Sequence, residues 1–230
     1  MMKAIGFDYG NTLLDTQLRF NFKDYYHEVI SDILQSINAE VNPKRIQSGE
    51  AVLLKYNTRV NPREYEVDSN TIFSELFREW GITGSSWMEI AKEIFASFFF
   101  RKSKPYPETM TVLKEIQKRG FKIGVLTNVP YGMEKKHLLQ DFTEIDQYVD
   151  VFLTSVEVGF RKPNPKGYCE LVQRLGVDTS ECVFVGDEEL DIIGANTVGM
   201  VSVLIDRNEQ NKKYGQIHTI NSLSDILNLI

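Results

Sequence analysis

From residue 105 onward the chain keeps one rhythm, helix-length amphipathic segments alternating with short apolar runs, up to about residue 206. ETMTVLKEIQKRG (108–120) leads into FKIGVLT (121–127), and VDVFLTS (149–155) is a second such run. NPKGYCELVQRLGV (164–177) follows, with Tyr168, Leu171, Val172 and Leu175 at helical spacing. CVFVGD (182–187), the helix-like DIIGANTVGM (191–200) and VSVLID (201–206) continue the pattern. Strands alternating with helices at this spacing predict a parallel sheet covered on both faces. In such α/β sheets ligands gather at the carboxyl ends of the strands. Residues 16–104 break the rhythm. Apolar residues recur there at helical spacing in three places: Tyr25 to Ile37, Ile72 to Trp80 and Ile90 to Phe98. The polar stretch 58–70 reads as a loop, and the segment shows no convincing strand pair. The expected organisation is a parallel α/β sheet domain with a helical insertion of residues 16–104 after its first strand.

The strand ends carry the chemistry. The first apolar run, in MKAIGFDYGNTLLDT, stops at Asp8. FKIGVLT offers Thr127, with Asn128 next; VGFRKPNP offers Arg161 and Lys162; VGDEELD offers Asp187, Glu188, Glu189 and Asp191. Taken singly, each is ordinary: a turn aspartate, a loop Thr-Asn, a Pro-led helix start, and acids at a helix N-terminus. Placed in this order at one sheet edge, they suit phosphoryl transfer. Asp8 can attack phosphorus as a carboxylate nucleophile. Asp8, Asp187 and Asp191 can offer oxygen ligands to a hard cation such as Mg²⁺. Thr127, Asn128 and Lys162 can receive the phosphoryl oxygens, and Lys162 can bridge Asp8 and the phosphate as a point charge.

Composition narrows the partners. The 230 residues carry a net charge of −6 and contain no basic run, so nucleic acid is not expected as a partner. Two cysteines, Cys169 and Cys182, form neither a disulfide framework nor a zinc motif. The apolar start is too short for a signal peptide, and the absence of an 18-residue apolar stretch argues against a membrane span. The expectation is a cytoplasmic protein, and the mild acidity is compatible with a small anionic substrate, since a local metal ion and one or two lysines override it.

GFDYGNTLLD, VLTN, VGFRKPNPKGY and FVGDEELDIIGA, in this order, resemble the four motifs of the haloacid dehalogenase-like hydrolase superfamily. The run YPETMTVLKEIQKRGFKIGVLTN is also similar to that family. The resemblance covers residues 1–15 and 105–230. It implies a Rossmann-like core with a helical cap, an aspartyl-phosphate at Asp8 supported by Thr12, and Mg²⁺ held by Asp8, the Gly10 carbonyl, Asp187 and Asp191. It also implies a departure. The family's phosphatases commonly carry a second Asp two residues after the nucleophile, as general acid and base, and here that position is Gly10. Such a group is typically worth ~10²–10⁴ in rate. The alternatives are a non-catalytic phosphate-binding or regulatory protein, a phosphonate-cleaving enzyme with a cap lysine (Lys23, Lys44, Lys55 or Lys92), or a dehalogenase. Retention of Asp187 and Asp191 argues against dehalogenation. His27 and Arg19 could line an entrance, although surface positions are the simpler expectation. Tyr9 could face either cap or core. FASFFFRK (95–102) reads as hydrophobic packing near the hinge.

Overall fold

The computed structural model describes residues 1–16, 22–99 and 103–230. Its strands are β1 (Ala4–Phe7), β2 (Leu14–Asp15), β3 (Lys104–Pro105), β4 (Lys122–Thr127), β5 (Val151–Thr154), β6 (Cys182–Gly186), β7 (Val201–Ile205) and β8 (His218–Ile220). Its α-helices are α1 (Tyr26–Ser36), α2 (Pro43–Tyr56), α3 (Ser69–Trp80), α4 (Ser85–Phe99), α5 (Thr109–Lys118), α6 (Lys135–Phe142), α7 (Ser155–Val158), α8 (Pro165–Leu175) and α9 (Glu189–Thr197). The chain divides into two compact units. One comprises Met1–Thr16, Lys102–Asn128 and Leu139–Ile230; the other comprises Gln17–Arg101 and Val129–Leu138. The second therefore takes in a ten-residue segment that the sequence rhythm left with the core.

The first unit is built on a six-stranded sheet in the order β5-β4-β1-β6-β7-β8. Every pairing in it is parallel. All four residues of β1 and all five of β6 are buried. That is the signature of strands covered on both faces, and it explains why these runs lack polar alternation. β1 lies between β4 and β6, where the strand order reverses direction, so Asp8 emerges at the switch point of the sheet. Helix α8 illustrates how the cover forms. Asn164 caps it by accepting from the Lys166 N–H at 3.1 Å, Pro165 fills the first turn, and Gly176 closes it at φ 71°. Its buried stripe, Tyr168, Leu171, Val172 and Leu175, packs with Leu126, Leu153 and Phe184 of the sheet. Each such side chain contributes about 1.5–3 kcal/mol through burial.

Three strands escaped the sequence reading. β2 and β3 form a two-residue antiparallel ribbon, Leu14 with Pro105 and Asp15 with Lys104, at the two ends of the insertion. Strands this short carry no detectable period. β8 joins the sheet edge through Val203 and His218 with only three residues.

The second unit is helical. The stripes expected near Val29 and Ile72 are the buried faces of α1 and α3; on α4 Phe95 is buried with Ala91 and Ala96, while Ile90 is exposed. Helix α2 was missed because its buried positions include Gly49, which weakens the apolar period. Asn42 and Pro43 mark its start, and Asn42 Oδ1 accepts the Arg45 N–H at 3.0 Å. The aromatic run provides packing, with Phe95 edge-on to Phe73 and Tyr131. Arg19 lies outside the described residues, as do Phe100, Arg101 and Lys102. His27 is exposed on α1, 3.8 Å from Glu50. Tyr9, in the first unit, is buried core against Phe152. Among the described residues no helix is long and apolar enough to cross a membrane.

Candidate active site

Asp8 follows β1 directly, and its N–H donates to Val185 O of β6 at 2.8 Å, which extends the ladder one residue past the strand. Asp187 follows β6 in the same way. Asp191 lies in the first turn of α9, where its Oδ2 accepts the Glu188 N–H at 3.0 Å. Oxygen atoms of Asp8, Asp187 and Asp191 all fall within 4.8 Å of one another. Lys162 Nζ donates to Asp8 Oδ1 and, at 2.5 Å, to Asp191 Oδ1. Thr12 Oγ1 donates to Asp187 Oδ1 at the long distance of 3.5 Å.

Asn128 acts through Lys162. Its Oδ1 accepts the Lys162 N–H at 2.8 Å, and its Nδ2 faces Lys162 O at 3.4 Å. Thr127 ends β4 opposite Thr154 and is buried. Gly10 sits in the loop after Asp8, bridged to Leu14. The structure thus brings Asp8, Lys162, Asp187 and Asp191 together and ties Asn128 to them through the Lys162 main chain. Thr127 and Gly10 stand outside that bonded set.

Two residues that shape the site gave no signal as site residues in the sequence. Gly186 is one: a Cβ there would fall 2.3 Å from Asp191 Cγ, so only glycine lets the Asp191 side chain lie across the end of β6. Tyr168 is the other. Its buried hydroxyl donates to the Leu190 and Asp191 carbonyls at 3.1 and 3.2 Å, and its ring occupies the space a Cβ on Gly194 would need. Together they fix α9 and hence Asp191. The FVGD spacing could have flagged Gly186. Nothing local points to Tyr168, which reads only as one more core position of α8.

The electrostatics are unbalanced. Burial, followed by the Asp191 charge, drives the Asp8 carboxyl above the usual carboxylate range, against the pull of Lys162. Asp187 is raised by burial and by repulsion from Asp8 and Asp191. Lys162 is held protonated because the Asp191 and Asp8 charges overcome the cost of its burial. With all three carboxyl groups ionised, the one ammonium would leave two negative charges uncompensated. Like charges at such separations repel by roughly 4 kcal/mol at an effective dielectric of about 20. An all-oxygen donor set with surplus negative charge, in which no lysine or arginine among the described residues bonds Asp187, fits a hard divalent cation.

The model of the haloacid dehalogenase-like hydrolase family matches residues 2–199. The chain belongs to this family. Among curated relatives, a phosphatase of Mycobacterium tuberculosis is 33% identical over 154 residues, covering 67% of this chain and 68% of that one. A glyceraldehyde 3-phosphate phosphatase of Methanopyrus kandleri is 38% identical over 109 residues, covering 47% of this chain and 46% of the relative. Among solved structures, a 2-haloacid dehalogenase of Pseudomonas syringae pv. Tomato superposes with a TM-score of 0.66 at 23% identity, covering 100% of this chain and 98% of that one. That likeness shows the fold alone. Haloacid dehalogenase-like folds host different reactions, so the choice of reaction rests on the site.

Proposed function

We propose that the protein is a divalent-metal-dependent phosphohydrolase acting on a small phosphorylated metabolite through an aspartyl-phosphate on Asp8. The observation that carries this reading is the convergence of Asp8, Asp187 and Asp191 on one another, with Lys162 bonded to two of them. Asp8, Asp187 and Asp191, with the Gly10 carbonyl, would hold Mg²⁺. When bound, the cation offsets the repulsion between an anionic nucleophile and an anionic phosphate.

In the first step a carboxylate oxygen of Asp8 forms a bond to phosphorus as the ester oxygen departs. Lys162 keeps Asp8 oriented and offers positive charge to the phosphoryl oxygens. Thr127 and Asn128 border the strand end where those oxygens would lie. In the second step water adds to phosphorus, inorganic phosphate leaves, and the Asp8 carboxylate is restored. Gly10 supplies no side chain for proton transfer, so the leaving oxygen takes its proton from water, and esters with good leaving groups react fastest.

The phosphonate-cleaving alternative needs a neutral lysine amine. Lys92 and Lys55 are both held protonated: Glu89 and Glu134 bind the first, and Glu75 the second, at 2.7–3.0 Å. Lys23 and Lys44 are exposed. The regulatory alternative rests on Gly10 and predicts phosphate binding without turnover.

The test is hydrolysis of p-nitrophenyl phosphate and a panel of sugar and three-carbon phosphates with Mg²⁺, with EDTA, and with Asp8→Asn. Turnover by the wild type, lost with EDTA and reduced at least ~10³-fold in Asp8→Asn, supports the proposal. Equal inertness of both proteins, with thermal stabilisation by phosphate plus Mg²⁺, would install the regulatory reading instead.

A further inference from the structure

Arg207 belongs to none of the motifs, yet it grips the loop that follows the nucleophile. It lies two residues beyond β7, with its side chain 17% exposed. Its Nε donates to Asn11 O at 3.2 Å and its Nη2 to Thr12 O at 2.8 Å. Its Nη1 donates to Glu108 Oε1 at 2.6 Å, and the guanidinium lies 3.5 Å from the centre of the Tyr106 ring. Glu108 is fixed in turn by the Leu223 N–H at 3.4 Å.

The loop needs such a clamp. The Leu13 and Leu14 N–H groups both turn back to Tyr9 O, and the Asn11 N–H goes to Leu14 O. This tight ring forces Asn11 to a φ of 55°, a left-handed conformation uncommon for a residue with a side chain. The carbonyls of Asn11, Thr12 and Leu13 are left outside the ring. Arg207 takes the first two, while the Tyr106 N–H and Thr109 Oγ1 take the third at 3.2 and 2.8 Å. Thr12, gripped through its carbonyl, is the residue whose hydroxyl reaches Asp187.

We infer that Arg207, oriented by Glu108 and Tyr106, is a positioning residue that sets the Asp8–Leu14 loop and thereby the geometry of Asp8 and Thr12 toward Asp187. The planar fork spans two carbonyls and a carboxylate while stacking on a ring, which an ammonium cannot do. The catalytic half of this inference rests on the phosphohydrolase reading; the structural half does not.

Two measurements test it. Steady-state kinetics on p-nitrophenyl phosphate should show Arg207→Ala with kcat reduced ~10–100-fold and KM little changed, as expected for misplaced reacting groups. Arg207→Lys should fail to restore kcat, whereas millimolar guanidinium should partly rescue Arg207→Ala and leave the wild type unaffected. Hydrogen exchange needs no turnover. The peptide containing Leu13 and Leu14 should exchange at least ~10-fold faster in Arg207→Ala, with β6 unchanged. If Arg207→Ala is insoluble, Glu108→Gln serves as the second variant, with a smaller fall in kcat and the same loop-confined exchange. Normal kcat, or rescue by Lys, would overturn the catalytic role. Unchanged loop exchange, or loosening spread over the whole sheet, would overturn the clamp. A wild type inert on every phosphate ester would sink the phosphohydrolase reading, while the exchange result would still decide the clamp.

Discussion

Two clusters of charge, one in each unit, are made of similar residues and behave in opposite ways. In the helical unit Lys92 binds Glu89 at 2.7 Å, Glu134 at 3.0 Å and Asn70 at 2.5 Å. Lys136 binds Glu93 at 2.7 Å and Glu134 at 3.0 Å, and Ser69 donates to Glu134 at 2.7 Å. Every carboxylate there has an ammonium. Partial burial alone would raise Glu134, but the hydrogen bonds from Ser69, Lys92 and Lys136 win and hold its pKa at about 2. In the sheet unit one ammonium bonds two of three carboxylates, and Asp8 and Asp187 move the other way. The first cluster is electrostatically closed and holds helices together. The second is open, and what it lacks is positive charge. Nearly the same inventory gives a charge-matched cluster or one short of positive charge, depending on how many cations share the carboxylates.

The comparison breaks most sharply at Lys162. Lys162→Met removes the ammonium shared by Asp8 and Asp191, and turnover should fall ~10³-fold or more, read as kcat/KM on p-nitrophenyl phosphate. Retained activity would mean that the open cluster does not depend on that charge.

Gly10→Asp sharpens it from the other side. A Cβ at Gly10 would lie 3.0 Å from the Thr16 methyl, so that side chain must shift by a few tenths of an ångström. If it does, rates on esters with poor leaving groups should rise by up to ~10²-fold, with little change for p-nitrophenyl phosphate. A fall on both would show that an added carboxylate deepens the charge surplus more than it helps proton transfer.

The closed cluster should show itself in acid. Glu134 has a folded-state pKa of about 2 against an ordinary 4.5, so it adds stability above about pH 4.5 that is lost as pH falls toward 2. The contribution is of the order of 2 kcal/mol at neutral pH. Glu134→Gln should therefore unfold at lower denaturant near pH 7 and lose that part of the acid slope. An unaltered slope would remove the cluster from the account of stability.

The smallest effect carries the opposite sign. Asp187 is harder to ionise in the folded protein, so its charge costs stability at neutral pH, and the cost fades as pH falls. Asp187→Asn in EDTA should raise the unfolding free energy by about 1 kcal/mol, read as a higher melting midpoint, and should abolish stabilisation by added Mg²⁺. A lowered midpoint in EDTA would mean that the open cluster carries no surplus charge.

Much of this was legible before any coordinates. Fully apolar runs mark doubly covered strands, and β1, β4, β6 and β7 fall where those runs lie. The acids at their ends were legible for the same reason, since a strand that stops on a carboxylate places it at the sheet edge. Helix α2 and the ribbon of β2 and β3 were not, because a buried glycine and two-residue strands erase the period on which such reading depends. Arg207 was invisible for another reason: its partners Asn11 and Thr12 are 196 and 195 residues away, and nothing in its own neighbourhood hints at them.

The sequence by itself determined the strands β1, β4, β6 and β7, the order in which they come, and which chemical groups stand at their ends. Those are matters of local period, capping and turn chemistry, settled within a few residues. Tertiary structure alone decided that Lys162 is shared between Asp8 and Asp191 and that, among the described residues, no ammonium bonds Asp187. It also decided that Gly186 makes room for Asp191 and that Arg207 closes on the loop after Asp8. These depend on ångström-scale distances between residues far apart in the chain, and electrostatic energy is set by those distances rather than by the residues' identity.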